Sequence, residues 1–189
     1  MKIELIKKGE TSISKWSGGT TTQLYIYPSN ASLSERTFDF RISSAIVEVE
    51  ESEFTSFIGY DRSLMVLEGN LEIVHENQYS KVLKQFEVDN FSGDWKTTSK
   101  GKITDFNLIF KRGIKGELNY LNIKGLNPKV LSNLPSRIGY FVISGELKIQ
   151  TNNSDYIVQK GELIMIENRG EIESLNLIGD CDLVELLIF

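Results

Sequence analysis

The chain has 189 residues, of which 40% are hydrophobic and 25% charged, values of a folded globular protein that exclude extensive disorder. A net charge of -5, with lysines and arginines scattered rather than clustered, excludes a surface that tracks a phosphate backbone, so no nucleic-acid partner is expected. A single cysteine excludes an intrachain disulfide, no run approaches the roughly 18 apolar residues of a membrane helix, and the expected address is the cytoplasm.

The opening residues, from Met1 to Lys8, read as a charged strand with neither an apolar signal core nor a small-residue cleavage site. Trp16-Ser17-Gly18-Gly19 reads as a turn, because it lacks the Lys-Ser/Thr ending and the helix of a phosphate loop. Alternation then marks strands over residues 23–27 and 37–43. It places Thr21, Gln23, Tyr25 and Tyr27 on one face of the first, and Asp39, Arg41 and Ser43 on one face of the second. Residues 64–73 read as a hairpin turning at Gly69, and His75, the one histidine, is expected after it as an exposed polar residue. Residues 105–110 form another alternating strand, with Asp105 and Asn107 opposite Phe106, Leu108 and Phe110. Near residues 127–131, Pro128 is placed to open a short helical turn. A second hairpin is expected over residues 139–149, turning at Gly145. A strand over 163–166 follows the Lys160-Gly161-Glu162 turn, and the apolar segment 181–189 holds Cys181 as a buried structural thiol.

Two of these signals recur in order. The pattern around Gly69 returns around Gly145, and the strand at 105–110 is answered by residues 182–187 at almost the same offset. The arrangement predicts two related β units, residues 1–113 and 114–189. A glycine-turned hairpin followed by a strand, a turn and another apolar strand resembles the cupin superfamily, so the expected fold is all-β: a bicupin of two jelly-roll-like barrels of the RmlC-like kind.

Metal-dependent cupins hold their metal with several histidines and a carboxylate. This chain has only His75, with no second strong nitrogen or sulfur ligand beside it, so no metal and no cofactor are expected. A Ser-His or Cys-His nucleophile would need the same histidine, and no Gly-x-Ser-x-Gly elbow is present. The polar faces of the first unit either meet solvent or line a ligand cavity. In the second unit, Asp182, Val184, Leu186 and Ile188 stand where the first has Asp105, Asn107, Ile109 and Lys111, which makes the first unit the better cavity candidate.

Five motifs in the first 113 residues resemble the HutD/Ves family: Trp16-Ser17-Gly18-Gly19-Thr20-Thr21-Thr22-Gln23-Leu24, Phe40-Arg41-Ile42-Ser43-Ser44-Ala45, Phe54-Thr55-Ser56-Phe57-Ile58-Gly59-Tyr60-Asp61-Arg62, Phe91-Ser92-Gly93-Asp94, and the run from Asp105 to Gly113. The chain departs from the family pattern at Phe40, where Trp is commoner, and at Ile58, where Pro is commoner. The resemblance implies a metal-free bicupin. HutD members are associated with histidine-utilisation operons and with sensing or limiting an intermediate such as formylglutamate, and Ves with stress and cold responses.

By that resemblance the chain is a non-enzymatic, regulatory or accessory binder of a small carboxylate or acylamino acid. The motif residues that alternation also places on polar faces are Thr21, Gln23, Arg41, Ser43, Asp105 and Asn107. Arg41 suits a ligand carboxylate because its planar fork donates two parallel hydrogen bonds. The alternative for Arg41 is an internal ion pair with Asp39, Asp61 or Asp105. Arg62 is the second cation, or else part of a turn with Tyr60 and Asp61. Trp16, Phe57 and Tyr60 would wall the pocket, or pack the core. Two other functions stay open: a metal-independent isomerase or hydrolase using Asp105, Asp94 or Tyr60, and a protein-binding module in which edge strands and the second unit form a homodimer.

Overall fold

The computed structural model describes residues 2–130, 135–168 and 174–189. These contain sixteen strands and no helix. The chain begins with β1 (Lys2–Ile6), β2 (Ser12–Trp16), β3 (Gly19–Tyr27), β4 (Phe40–Val47), β5 (Glu51–Glu53), β6 (Tyr60–Glu68), β7 (Leu71–His75) and β8 (Tyr79–Leu83). It continues with β9 (Val88–Ser92), β10 (Thr97–Lys100), β11 (Ile103–Lys111), β12 (Gly116–Val130), β13 (Arg137–Gln150), β14 (Asp155–Gln159), β15 (Leu163–Glu167) and β16 (Ser174–Ile188).

Two units result. The N-terminal unit, Thr11–Lys115, holds a six-stranded sheet in the order β2-β3-β4-β11-β6-β9 and a four-stranded sheet in the order β5-β10-β7-β8. The C-terminal unit comprises Met1–Glu10 and Gly116–Phe189. Its sheet runs β1-β15-β13-β16-β12, with β14 paired to β13. The sequence reading placed residues 1–113 together; in the structure β1 pairs antiparallel with β15, so the opening strand adds to the C-terminal sheet.

The elements around the recurring glycines are not the hairpins expected. β6 pairs with β11 and β9, whereas β7 pairs with β10 and β8, so the chain crosses at Gly69 from one sheet into the other. In the C-terminal unit β13 runs unbroken through Gly145 and pairs with β16 on both sides of it. Each glycine is the bend of a long strand where a second bent strand crosses it. Gly69 has φ +90° and Gly145 φ +75°, and a Cβ would lie 2.6 Å from the Lys102 carbonyl oxygen at the first and 2.2 Å from that of Asp180 at the second. Positive φ and close backbone approach together require glycine at such positions. Pattern alone does not separate a tight turn from a bend.

Two further expectations change. Residues 127–130 lie in β12, with Pro128 opposite Asn176, and Leu131 falls outside the described residues. β12 is the outermost strand of its sheet, where a residue without an N–H is tolerated. In β3 the pairing shifts between Gln23 and Tyr25: Gln23 opposes Ser43, but Tyr25 opposes Ile42 and Tyr27 opposes Phe40. The extra residue, Leu24, turns Tyr25 and Tyr27 onto the opposite face from Thr21 and Gln23, where both stack on Phe40.

Each unit has its own apolar interior. In the N-terminal unit Leu64, Val66, Leu71, Ile73, Leu83 and Phe91 form one cluster, and Phe38, Phe57, Tyr60 and Ile109 another. In the C-terminal unit Tyr140, Val142, Leu147, Ile149, Leu177 and Leu183 lead a larger one that includes Cys181, which is buried as expected. Side chains of this size contribute about 1.5–3 kcal/mol each when fully buried, and these clusters hold the framework on which the site stands.

Candidate ligand-binding site

Three adjacent strands build the site. Residues directly opposite one another in antiparallel strands share a face. Asn107 on β11 stands opposite Ser43 on β4 and Leu64 on β6; Ile109 stands opposite Arg41 and Arg62; Asp105 stands opposite Ala45 and Val66. Arg41, Ser43, Arg62, Asp105 and Asn107 therefore converge, and they line a cavity of about 320 Å³, a volume suited to a small molecule. β3 adds Thr21, β2 adds Ser14 and Trp16, and the segment after β5 adds Phe54, Thr55 and Phe57. The Trp16 ring lies against Gly18, where a side chain would strike it.

Arg41 is buried, and its neighbours hold it in place without neutralising it. Its Nε donates to Gln23 Oε1 at 2.8 Å and its Nη1 to Ser43 Oγ at 3.0 Å, leaving Nη2 with no bond among the described residues. The expected alternative, an ion pair with Asp39, Asp61 or Asp105, does not form. Arg62 is held by rings: its guanidinium lies 4.9 Å from the centre of Phe54, 5.2 Å from Phe91 and 5.9 Å from Phe57. Such stacking suits arginine because its guanidinium is planar and weakly hydrated. Its Nη1 donates to the Thr55 carbonyl at 3.3 Å, while its buried Nε–H has no partner. Burial lowers both guanidiniums, Arg62 to about 10, so both remain cationic at neutral pH.

Asp105 is the cavity's buried carboxylate. The Ala45 amide donates to its Oδ1 at 3.1 Å, yet burial outweighs that bond and the attraction of the two arginines and pushes the carboxyl up to about 7. Asn107 adds a buried Oδ1 without a partner. An unpaired buried polar atom costs about 1–3 kcal/mol. Two lining residues with such atoms, and two cations beside an acid whose charge burial disfavours, make a site suited to an anion.

Of the ten residues singled out from the sequence, Thr21, Arg41, Ser43, Phe57, Arg62, Asp105, Asn107 and Trp16 line this cavity. Gln23 stands behind Arg41 and orients it. Tyr60 lies elsewhere: its hydroxyl donates to the Arg36 and Phe38 carbonyls at 2.7 and 2.8 Å, and its ring packs on Phe38. The sequence reading missed Ser14, Leu33, Ala45, Val47, Ser52, Glu53, Phe54, Thr55 and Ile109. Ala45 and Ile109 continue the alternation of Arg41-Ser43 and Asp105-Asn107 and were within its reach; the others come from separate elements.

His75 differs from expectation. It is 1% exposed, with Nδ1 2.8 Å from Thr97 Oγ1 and Nε2 2.9 Å from Asp89 Oδ2, and its ring packs on Phe91, Tyr79 and Trp95. Strand pairing sets His75 opposite Thr97. Both ring nitrogens are engaged away from the cavity, and no group of three or more His, Cys, Asp or Glu converges among the described residues. Two guanidiniums and one acid do not suit a cation, so the residues present do not fit the metal that cupin enzymes carry.

The registers also revise the match between the units. Val66 and Val142 each stand three residues before a bend glycine, and their partners are Asp105 and Leu183. Asp105 therefore corresponds to Leu183, not Asp182, and Asn107 to Glu185. Asp182 takes bonds from Tyr120, Asn122 and Ser144 instead.

A family model described as HutD matches residues 9–184. A curated relative from Pseudomonas putida, an uncharacterized 21.2 kDa protein in the hutC 3' region, is 38% identical over 77 residues; the match spans 39% of this chain and 40% of that protein. Among solved structures, a conserved protein of unknown function from Pseudomonas aeruginosa PAO1 superposes with a TM-score of 0.88 at 20% identity, over 100% of this chain and 99% of that one. HutD from Pseudomonas fluorescens SBW25, solved in a formate condition, gives a TM-score of 0.77 at 20% identity over 100% of both chains. The bacterial pirin YhhW from Escherichia coli, in complex with nickel(II), gives a TM-score of 0.70 at 9% identity over 98% of both. The fold is all-β and cupin-like, and no helix among the described residues is long and apolar enough to cross a membrane.

Proposed function

This chain belongs to the HutD family, and on that premise we propose that it is a non-enzymatic regulatory or accessory protein of histidine utilisation, acting in the cytoplasm, which senses a small carboxylate in the N-terminal cavity. The observation that carries this reading is the pair of buried guanidiniums, Arg41 and Arg62, that line one cavity and are held by Gln23, Ser43 and aromatic rings rather than by an acid. Fixed guanidinium donors in a partly dry site favour a carboxylate over a neutral ligand of the same size. The hutC neighbourhood of the Pseudomonas putida relative supports this pathway. An acylamino acid such as formylglutamate also offers an amide N–H to the polar residues of the wall, Ser43 and Asn107.

Thermal unfolding of the purified protein with histidine-degradation intermediates, other acylamino acids, dicarboxylates, sugars and divalent metals tests the reading. Carboxylates should stabilise the wild type and leave Arg41→Ala unmoved. A shift with metals only, or with none of these compounds, would sink it. A second reading rests on Asp105, whose carboxyl near 7 suits acid–base catalysis without a metal. Turnover of a carboxylate ligand by the wild type, abolished in Asp105→Asn, would favour that reading; Tyr60, away from the cavity, takes no part in it.

A further inference from the structure

We propose that anion binding in the N-terminal cavity is coupled to proton uptake at Asp105, whose neutral carboxyl then donates a hydrogen bond to the bound anion. The inference rests on the carboxylate-binding reading and names how that site is regulated.

The geometry carries it. Asp105 is 3% exposed and accepts one hydrogen bond, from the Ala45 amide to Oδ1. Its second oxygen has no partner among the described residues. The charged groups around it are Arg41 from β4 and Arg62 from β6; β11 itself adds only neutral Asn107 and Ile109 on this face, and the exposed Glu53 of β5 lies at the cavity rim. No ion pair joins Asp105 to either guanidinium, which leaves the charge of each available to a ligand. An anion placed between them puts a second negative charge beside a carboxylate that burial already disfavours. Protonation removes that repulsion. The proton comes from solvent, an O–H bond forms at Oδ2, and the anion gains an O–H···O⁻ hydrogen bond beside those from Arg41 and Arg62. Burial already holds the empty site's carboxyl near 7, so both protonation states are populated at neutral pH and a modest upward push recruits a proton.

The sign follows directly. The occupied site binds more protons than the empty one, so affinity is greatest in mild acid and weakens by about tenfold per pH unit above 7, until the pKa of the complex is passed. Asp105→Asn keeps the acceptor for Ala45 and supplies a permanent N–H donor, so its affinity should match that of the acidic wild type and stay flat.

The test measures formate affinity for the full chain at constant ionic strength from about pH 5.5 to about pH 8.5, where formate stays ionised, for wild type and Asp105→Asn. Calorimetry of the wild type at pH 7 in two buffers of different ionisation enthalpy counts the protons without any variant. Net uptake, with weakening in the wild type and none in Asp105→Asn, is the expected result. Binding with no pH dependence and no proton uptake would overturn the coupling and leave the carboxylate site standing. No formate binding at any pH would remove both.

Discussion

The two units place different chemistry at equivalent positions of the same bent-strand crossing. In the N-terminal unit Arg62, Asp105 and Asn107 face a cavity, and Arg62 Nε and Asn107 Oδ1 are unpaired. In the C-terminal unit the equivalents are Ile138, Leu183 and Glu185. Glu185, 1% exposed, is satisfied by Lys129 Nζ at 3.0 Å and by Tyr140 Oη and Asn119 Nδ2 at 3.3 Å each. Burying a charge is tolerated when its partners are present and costly when they are not. The C-terminal interior closes its polar groups on one another, whereas the N-terminal one leaves buried polar atoms unpaired. The duplicated framework thus carries one interior of each kind.

Substitutions that move one interior toward the other break or sharpen this contrast. Leu183→Asp gives the C-terminal unit the residue of the N-terminal one without its arginines. A loss of about 3–5 kcal/mol in denaturant unfolding is expected, and near-wild-type stability would mean that this interior is open too. Arg41→Ala should forfeit the stabilisation that a carboxylate at about 100 times its Kd confers, about 2.7 kcal/mol, while the unliganded stability changes less. Gly69→Ala and Gly145→Ala should each cost about 1–3 kcal/mol in either unit, because both bends need positive φ; a marked inequality would show that the crossings are not equivalent.

The same contrast should show in pH dependence. Asp105 rises from 3.8 unfolded to about 7 folded, so the folded state holds the extra proton between those values. Its contribution is full below about 4 and is lost as pH rises through 7, at about 1.4 kcal/mol per pH unit. Asp105→Asn should gain on the wild type over that window and hold its advantage at pH 8.

Much of the framework was legible in the sequence. Alternation marks most strands, the recurrence of Gly69 and Gly145 shows the duplication, and the same alternation brings Arg41, Ser43, Asp105 and Asn107 to one face. What it missed has physical causes. A bulge at Leu24 reverses the faces of Tyr25 and Tyr27, and periodicity cannot register one inserted residue. A glycine bend and a glycine turn look alike in sequence, so two strand crossings read as hairpins. His75 reads as exposed because Thr97, opposite it on β10, and Asp89, from β9 in the other sheet of the unit, are distant in sequence and reach it only in the folded chain. The neighbouring Asp182 drew the match that belongs to Leu183, because chain offset does not resolve a register shift of one.

The most direct test of the central claim is NMR of the arginine side-chain Nε–H groups during carboxylate titration. Arg62 Nε–H, buried and without a hydrogen-bond partner, should move strongly downfield on adding formate or an acylamino acid, while Arg41 Nε–H, already bonded to Gln23, should move little. Saturating carboxylate that leaves Arg62 Nε–H unmoved would contradict the claim that this cavity is built for an anion.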